Sequence, residues 1–290
     1  MSINYPWYTH MTLHRSLELK FTVKAEEPLR IGAGKAPPLA TIDLPVVTIR
    51  KDGENRPYIP GSSFKGVLRS TCELIARTSG LKVCMAGSCS QEKVVERGQK
   101  LYEALEDALK VNNIPTVLQL VSKYYCLICK ILGSGSYASH IHVSDSYPEG
   151  SVTRGAKMGI AINRRSGAVQ TGPYTVEFVE PGAQFETTLR MNNLPNYGVG
   201  LILVALDYVN EGLIKIGGFK SRGFGRVSIN FRSLTGLIFQ QGTPIKLEEA
   251  EALTALDDYD KEVRIQPQDL TTTLAEFKKR WWEYVQSAKS

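Results

Sequence analysis

An α+β fold is expected for this chain of 290 residues, with helices gathered on one face of a mainly antiparallel sheet. Three observations predict it. Strand-like alternation and helix-like periodicity both occur, but not in regular βα pairs. Apolar residues make up 42% and charged residues 22%, the balance of a globular chain that buries a core. The longest apolar run, 199–206, is too short to span a bilayer, so no membrane partner is expected. The opening stretch MSINYPWYTHMTLHRS has no apolar leader region, which makes the cytoplasm the expected compartment.

The elements follow in order. SLELKFTVK, residues 16–24, alternates strictly, with Leu17, Leu19, Phe21 and Val23 on one face. RIGAGKAPPLA is a loop. PVVTIR is a second strand, ended by the Asp-Gly turn signal of KDGENRP. PYIPGSSFKGVLRSTCELIARTSG opens a helix with Ser62 or Ser63 as its N-cap. Its apolar face carries Phe64, Val67, Leu68, Cys72 and Ile75, and Gly80 is its stop. Residues 81–130 read as a helical insertion, with EKVVERGQKLYEALEDALK and IPTVLQLVSKYY as its helices. LGSGSYASH links back to a short strand, HIHVSDS. SVTRGAKMGIAINRRSGAVQTGPYTVEFVEPG, in the span 150–180, is an extended hairpin. QFETTLRM is a strand, NYGVGLILVALDYVNEG an apolar helix, RVSINF a strand, and LAEFKKRWWEYVQ a last helix. Of Trp281 and Trp282, only one can face the core of that helix. With the insertion set aside, this order fits a ferredoxin-like βαββαβ core.

Charge is unevenly spread. Residues 235–290 form an acidic C-terminal extension with 7 Lys/Arg and 10 Asp/Glu, whereas residues 1–234 carry 28 and 19. A basic body suits a polyanionic partner. Two stretches within it have the chemistry to bind phosphate. GGFKSRGFGRV, residues 217–227, packs four glycines and three cations into eleven residues. Gly218 and Gly223 let the backbone approach an anion, Lys220 and Arg222 add charge, and Ser221 adds a hydroxyl. Phe219 and Phe224 either stack on bases or anchor the loop. In PGSSFKGVLRS, Gly61, Ser62 and Ser63 open a helix whose N-terminal dipole favours anions. Lys65 and Arg69 share one face of it.

IPGSSFKGVLRS followed much later by GGFKSRGFGRV closely resembles the RAMP superfamily, the repeat-associated mysterious proteins of CRISPR systems. The resemblance spans most of residues 15–232. RIGAGKAPPLATIDLPVV before PYIPGSSFKG, and AINRRSGAVQTGPYTVEFVEPGAQF, are similar to the backbone subunit of type III effector complexes. That resemblance implies a single RRM-like domain over 1–290 and a hairpin that acts as a thumb. It implies guide (CRISPR) RNA and target RNA as partners, together with other effector subunits and self-association into a helical filament. It implies RNA contact by Arg164 and Arg165, with Met158 and Ile160 as apolar wedges. The family's RNA-cutting aspartate matches Asp43 in TIDLP. Cleavage of this kind uses the neighbouring 2′-OH, which must be deprotonated and held in line. An unassisted carboxylate is a weak base at neutral pH, so Asp43 is expected to position the hydroxyl or to hold a divalent ion such as Mg²⁺. His140 and His142 are read as structural or RNA-facing, and Asp145 as a turn residue.

Cys84, Cys89, Cys126 and Cys129 form C-x4-C and C-x2-C pairs separated by 36 residues. Four thiolates suffice for a closed tetrahedral structural Zn²⁺ site. Fe–S ligation and disulfides are the alternatives. Some archaeal relatives carry zinc in the same insertion. Cys72 lies on a helix's apolar face as a small hydrophobe. The expected function is a type III backbone subunit that binds guide RNA and cuts complementary target RNA at regular intervals, a metal-dependent endoribonuclease within a complex. The alternatives are a non-catalytic scaffold subunit and a guide-RNA processing endoribonuclease.

Overall fold

The computed structural model describes residues 6–35, 41–51, 53–95, 98–240 and 242–288. The elements are β1 (Arg15–Ala25), β2 (Thr48–Lys51), β3 (Glu54–Pro57), α1 (Gly61–Thr78), α2 (Cys89–Glu92), α3 (Leu101–Lys110), α4 (Ile114–Tyr124) and α5 (Leu127–Leu132). They continue as β4 (Ile141–Val143), β5 (Tyr147–Pro148), β6 (Arg154–Ile162), β7 (Val169–Val179), β8 (Gln184–Asn192) and α6 (Asn196–Asn210). Last come β9 (Val227–Gln240), β10 (Thr243–Lys246), β11 (Ala252–Leu253), β12 (Val263–Arg264) and α7 (Leu270–Ser287). The fold is mixed α+β around a main antiparallel sheet of order β10-β9-β1-β8-β4, with β5 also on β8.

The alternation of β1 explains its central position. Leu17, Leu19, Phe21 and Val23 are buried on the helix side. On the other face Thr22 is also covered, because Arg232 Nε donates to its hydroxyl at 2.9 Å. Helix α6 is apolar nearly all round and is correspondingly buried. Its outer side is closed by α7, whose Leu274, Phe277 and Trp281 lie in the same core. Trp281 is fully buried and Trp282 is exposed, so the tryptophan pair divides as the helical period requires.

Four local expectations are corrected. PVVTIR does not supply a second strand of the sheet: β2 pairs only with β3 in a side hairpin, and the sheet takes β4 and β5 instead. The described residues between α2 and α3, 93–95 and 98–100, are not α-helical. Gly98 has φ +78° and Val94 bridges Lys100, closing a turn before α3 begins. Neither Ser62 nor Ser63 caps α1. Pro60 is the N-cap residue, and the Gly61 amide donates to Asp145 Oδ1 at 2.8 Å. Asp145 is therefore a long-range helix cap, which local sequence cannot reveal. The last strand is also far longer than RVSINF. It runs on to Gln240, bulging where Lys20 and Phe21 face Ser233 and Phe231.

Candidate functional site

The glycine-rich loop leaves α6, folds back under residues 28–31 and runs into β9. Gly217 and Gly225 have φ of +82° and +89°, and a Cβ at either would clash with the carbonyl of Arg30 or Ile216. These two glycines let the loop lie directly on its neighbours. The Gly218 amide donates to the Arg30 carbonyl at 2.9 Å. Phe224 is buried and packs edge-on against Phe178 of β7 at 5.6 Å. It anchors the loop from below. Phe219 is held between two guanidinium groups, Arg30 and Arg222, each 5.3 Å from its ring centre. Lys220, Ser221, Arg222 and Gly223 are exposed along the loop's outer side. Arg222 Nη1 also donates to the Tyr174 hydroxyl at 3.2 Å, tying the loop to the β6–β7 hairpin.

The start of α1 stands beside this loop, and clefts open on both of its flanks. A cleft of about 680 Å³ is lined by Ser63, Gly218 and Lys220 with Arg30, Lys35 and Leu44. A second, of about 510 Å³, lies toward the insertion and is lined by Ser62, Lys65, Arg69, Gly87, Gly133 and Ser134. Gly66 borders both. Neither cleft has a carboxylate among its described lining residues, so both are positive. Burial and the nearby Arg69 charge pull the Lys65 pKa below its usual value.

The stretch that holds Asp43 is zipped onto β7. Leu44 N donates to Thr175 O at 3.0 Å, and Thr175 N returns a bond to Asp43 Oδ2 at 2.7 Å. Glu177, nearly buried, accepts from Val46 N at 2.9 Å and pairs with Arg154 at 3.2 Å. Asp43 is thereby fixed beside Leu44, which lines the loop-side cleft, and its carboxylate is exposed. Among the described residues it belongs to no group of three potential metal ligands. Arg164 and Arg165 lie in the exposed turn of the hairpin, away from both clefts. The Asn163 side chain holds that turn by accepting from Arg165 N at 2.9 Å. Met158, Ile160 and Ile162 of β6 are exposed on one face.

The four insertion cysteines converge. Their sulfurs lie within 4.8 Å of one another, with Cys84–Cys129 at 3.3 Å and Cys84–Cys126 at 3.7 Å. No disulfide joins them. A tetrahedral zinc site with Zn–S of about 2.3 Å requires S–S edges of about 3.8 Å, so these four thiols fit a metal ion closely. Hydrogen bonds from the Cys129 and Cys89 thiols hold Cys126 far below the ordinary thiol range, which favours a thiolate there. A small second core of Leu101, Leu105, Val121 and Tyr125 surrounds the cluster. A row on α1 clamps both cysteine loops. Arg69 donates to the Leu132 and Gly133 carbonyls at 2.7 and 2.8 Å. Glu73 accepts from Ala86 N at 3.2 Å, and Arg77 donates to the Cys84 carbonyl at 2.7 Å.

The sequence pattern of the RAMP superfamily matches residues 22–228, well over half of the chain. The chain belongs to the RAMP superfamily. Among curated proteins, no relative matches it. RAMP membership supports a CRISPR-associated, RNA-binding role in general. Among the described residues, no helix is long and apolar enough to cross a membrane.

In this RAMP protein, the fold gathers Ser63, Gly218 and Lys220 into one cleft and Ser62, Lys65 and Arg69 into the next. Gly61 is engaged with Asp145, and Phe224 is interior. His140 is buried and His142 exposed, so the two do not share an environment. The residue that sequence reasoning passed over is Arg30. It lies between Leu29 and Ile31 in a short apolar run, and only the three-dimensional closure of the glycine loop brings it into the cleft.

Proposed function

We propose that this RAMP protein is a backbone subunit of a type III CRISPR ribonucleoprotein that binds guide RNA and cleaves complementary target RNA at regular intervals. The observation that carries this reading is the shared cleft. Two cationic, glycine-bearing motifs more than 150 residues apart line one carboxylate-free groove, and Asp43 is pinned next to it. Cations and amide donors in such a groove track an RNA backbone without reading its bases. The sheet order β9-β1-β8-β4, with α1 after β1 and α6 after β8, supports a ferredoxin-like (RRM-like) reading of the core.

The remaining assignments are part of the same proposal: one RRM-like domain, its 81–130 insertion holding structural zinc, the 150–180 hairpin as thumb, and 235–290 as an extension. So are assembly into a helical filament with other effector subunits and a cytoplasmic location. The exposed apolar face of β6 and the arginines at the hairpin turn suit a thumb that presses into an RNA duplex.

Cleavage calls for attack by a ribose 2′-OH on the adjacent phosphorus, its proton passing to water, with departure of the 5′-oxygen, which takes a proton from water, leaving a 2′,3′-cyclic phosphate and a 5′-OH. Asp43 has one oxygen committed to the Thr175 amide, which fixes the carboxylate's direction and leaves the other oxygen to orient the hydroxyl. Lys220 and Arg222 on the neighbouring loop supply charge for the phosphoryl oxygens. A Mg²⁺ ion would have to draw on RNA oxygens and water, since Asp43 stands outside any described ligand cluster. The committed Asp43 oxygen also favours the second reading, a scaffold subunit with no cleavage. Target-RNA cutting by the guide-loaded complex, with and without Mg²⁺, tests both. Evenly spaced cuts lost in Asp43→Ala, with RNA binding retained, are the result expected of a slicing backbone. Unchanged cutting would leave the scaffold reading.

A further inference from the structure

Among the described residues, Arg30 has no ionic partner; the group that lies against its guanidinium is the Phe219 ring. The residue is only 8% exposed, and its Nε is buried without a hydrogen-bond acceptor. Among the described residues, no carboxylate lies within ion-pair distance of it. Its charge is opposed by burial alone, which pulls its pKa below the usual guanidinium value. A buried, unpaired cation is unfavourable for folding. The other deeply buried arginine in this chain, Arg15, shows the contrast: it has Asp260 at 3.8 Å and the carbonyls of Leu194 and Thr254 as acceptors. Arg30 lines the loop-side cleft, where Lys35 and Lys220 add further positive charge.

Gly66 raises a matching question. It sits inside α1, where glycine is less favourable than alanine. Nothing lies within 4 Å of where its Cβ would be, so no packing contact within the protein requires a glycine. It borders both clefts. A glycine that internal packing does not require, between two positive clefts, is the mark of another backbone passing close.

We infer that Arg30 is the buried acceptor site for one RNA backbone phosphate, and that the strand crosses α1 over Gly66 from the Arg30 cleft to the Lys65–Arg69 cleft. The inference rests on the RNA-binding reading above and adds to it an anchoring residue and a route. The guanidinium presents a forked donor to the phosphate, and the bound phosphodiester supplies the negative charge that the fold withholds. The strand then continues past the Gly133–Ser134 backbone, which Arg69 holds in place.

The test compares wild type, Arg30→Gln and Gly66→Leu by thermal melting and by anisotropy of a labelled single-stranded RNA of mixed sequence over a salt series. Arg30→Gln is expected to melt no lower than wild type, to bind RNA at least about tenfold more weakly, and to lose about 0.7 from the log–log salt slope. Gly66→Leu is expected to stay folded and to bind more weakly. The route is overturned if Gly66→Leu binds like wild type. The anchor is overturned if Arg30→Gln binds like wild type, or if it melts lower with its salt slope unchanged. Inorganic phosphate separates this site from the RNA reading. If wild type binds no RNA, yet phosphate raises its melting temperature and not that of Arg30→Gln, the anion site stands and the RNA reading falls. Failure of both probes removes the site.

Discussion

His140 shows how one side chain ties stability to pH. Its ring is fully buried, stacked on His10 at 4.1 Å, with Nδ1 3.1 Å from the Asn192 carbonyl. Burial first, and the neighbouring His10 second, push its pKa down to about 4. In the unfolded chain the same ring titrates near 6.5. Between those values the unfolded state binds the extra proton, so stability rises with pH across this window and is lost on acidification from pH 7 toward 4. The full effect is about 3 kcal/mol. Urea midpoints measured at pH 7 and pH 5 should differ accordingly, and His140→Gln should flatten that difference. At the same scale, Asp260→Ala should cost about 3–5 kcal/mol. It strands Arg15 as a buried unpaired cation and removes the carboxylate that accepts from Asn196 N and Leu256 N, both at 3.0 Å. An equal midpoint for this variant in urea would mean that Arg15 finds another partner.

Among the elements, the insertion depends most on something bound. Its local core is small, and its two cysteine loops are joined by four sulfurs and by the Arg69–Glu73–Arg77 row of α1. One zinc per chain is expected by elemental analysis. Stripping it with a strong chelator should open residues 81–130 to limited proteolysis while α1, which is packed on the main core, stays protected. Cleavage spread evenly over the chain would instead mean that the metal holds the whole fold. The α6–α7 contact has its own test. A Cβ on Gly200 would strike the Phe277 carbonyl of α7, so Gly200→Val should lower the melting temperature sharply by prising the helices apart. The elements that were readable in advance are those whose period is uninterrupted. The sequence of β1 alternates from residue 16 to 24, and α4 and α6 begin close to where their sequence pattern starts. The misread ones were decided by partners far away. The cap of α1 comes from Asp145, 84 residues on. β2 had strand-like residues but no place in the sheet, and Gly98 broke a run whose apolar spacing alone looked helical. The cysteine cluster was legible because ligand count and spacing are sequence properties. Arg30 was not, because an unpaired charge is defined by what surrounds it.

For the whole molecule, the charge asymmetry has an internal explanation. Part of the acidic character of residues 235–290 is engaged within the protein. Asp257 accepts from Trp7 Nε1 at 2.8 Å and from the Tyr197 hydroxyl at 2.7 Å, and Asp260 serves Arg15 and the start of α6. Lys261 and Arg280 pair with Glu283. The excess positive charge of the body is left to the surface, where both clefts lie. Helix α6, apolar nearly all round, is covered by α7, which lies after the family match. This closure also orders events in time. The central strand β1 is made early, yet its sheet partners β8 and β9 and the covering helix α7 come some 170 to 260 residues later. Such long-range pairing is slow to form. A chain still being synthesised therefore carries the middle of its sheet with both edges open and its most apolar helix uncovered. Until α7 has been made, the cleft that would receive RNA has no finished wall to stand on, and the nascent chain is more exposed to aggregation than to its ligand.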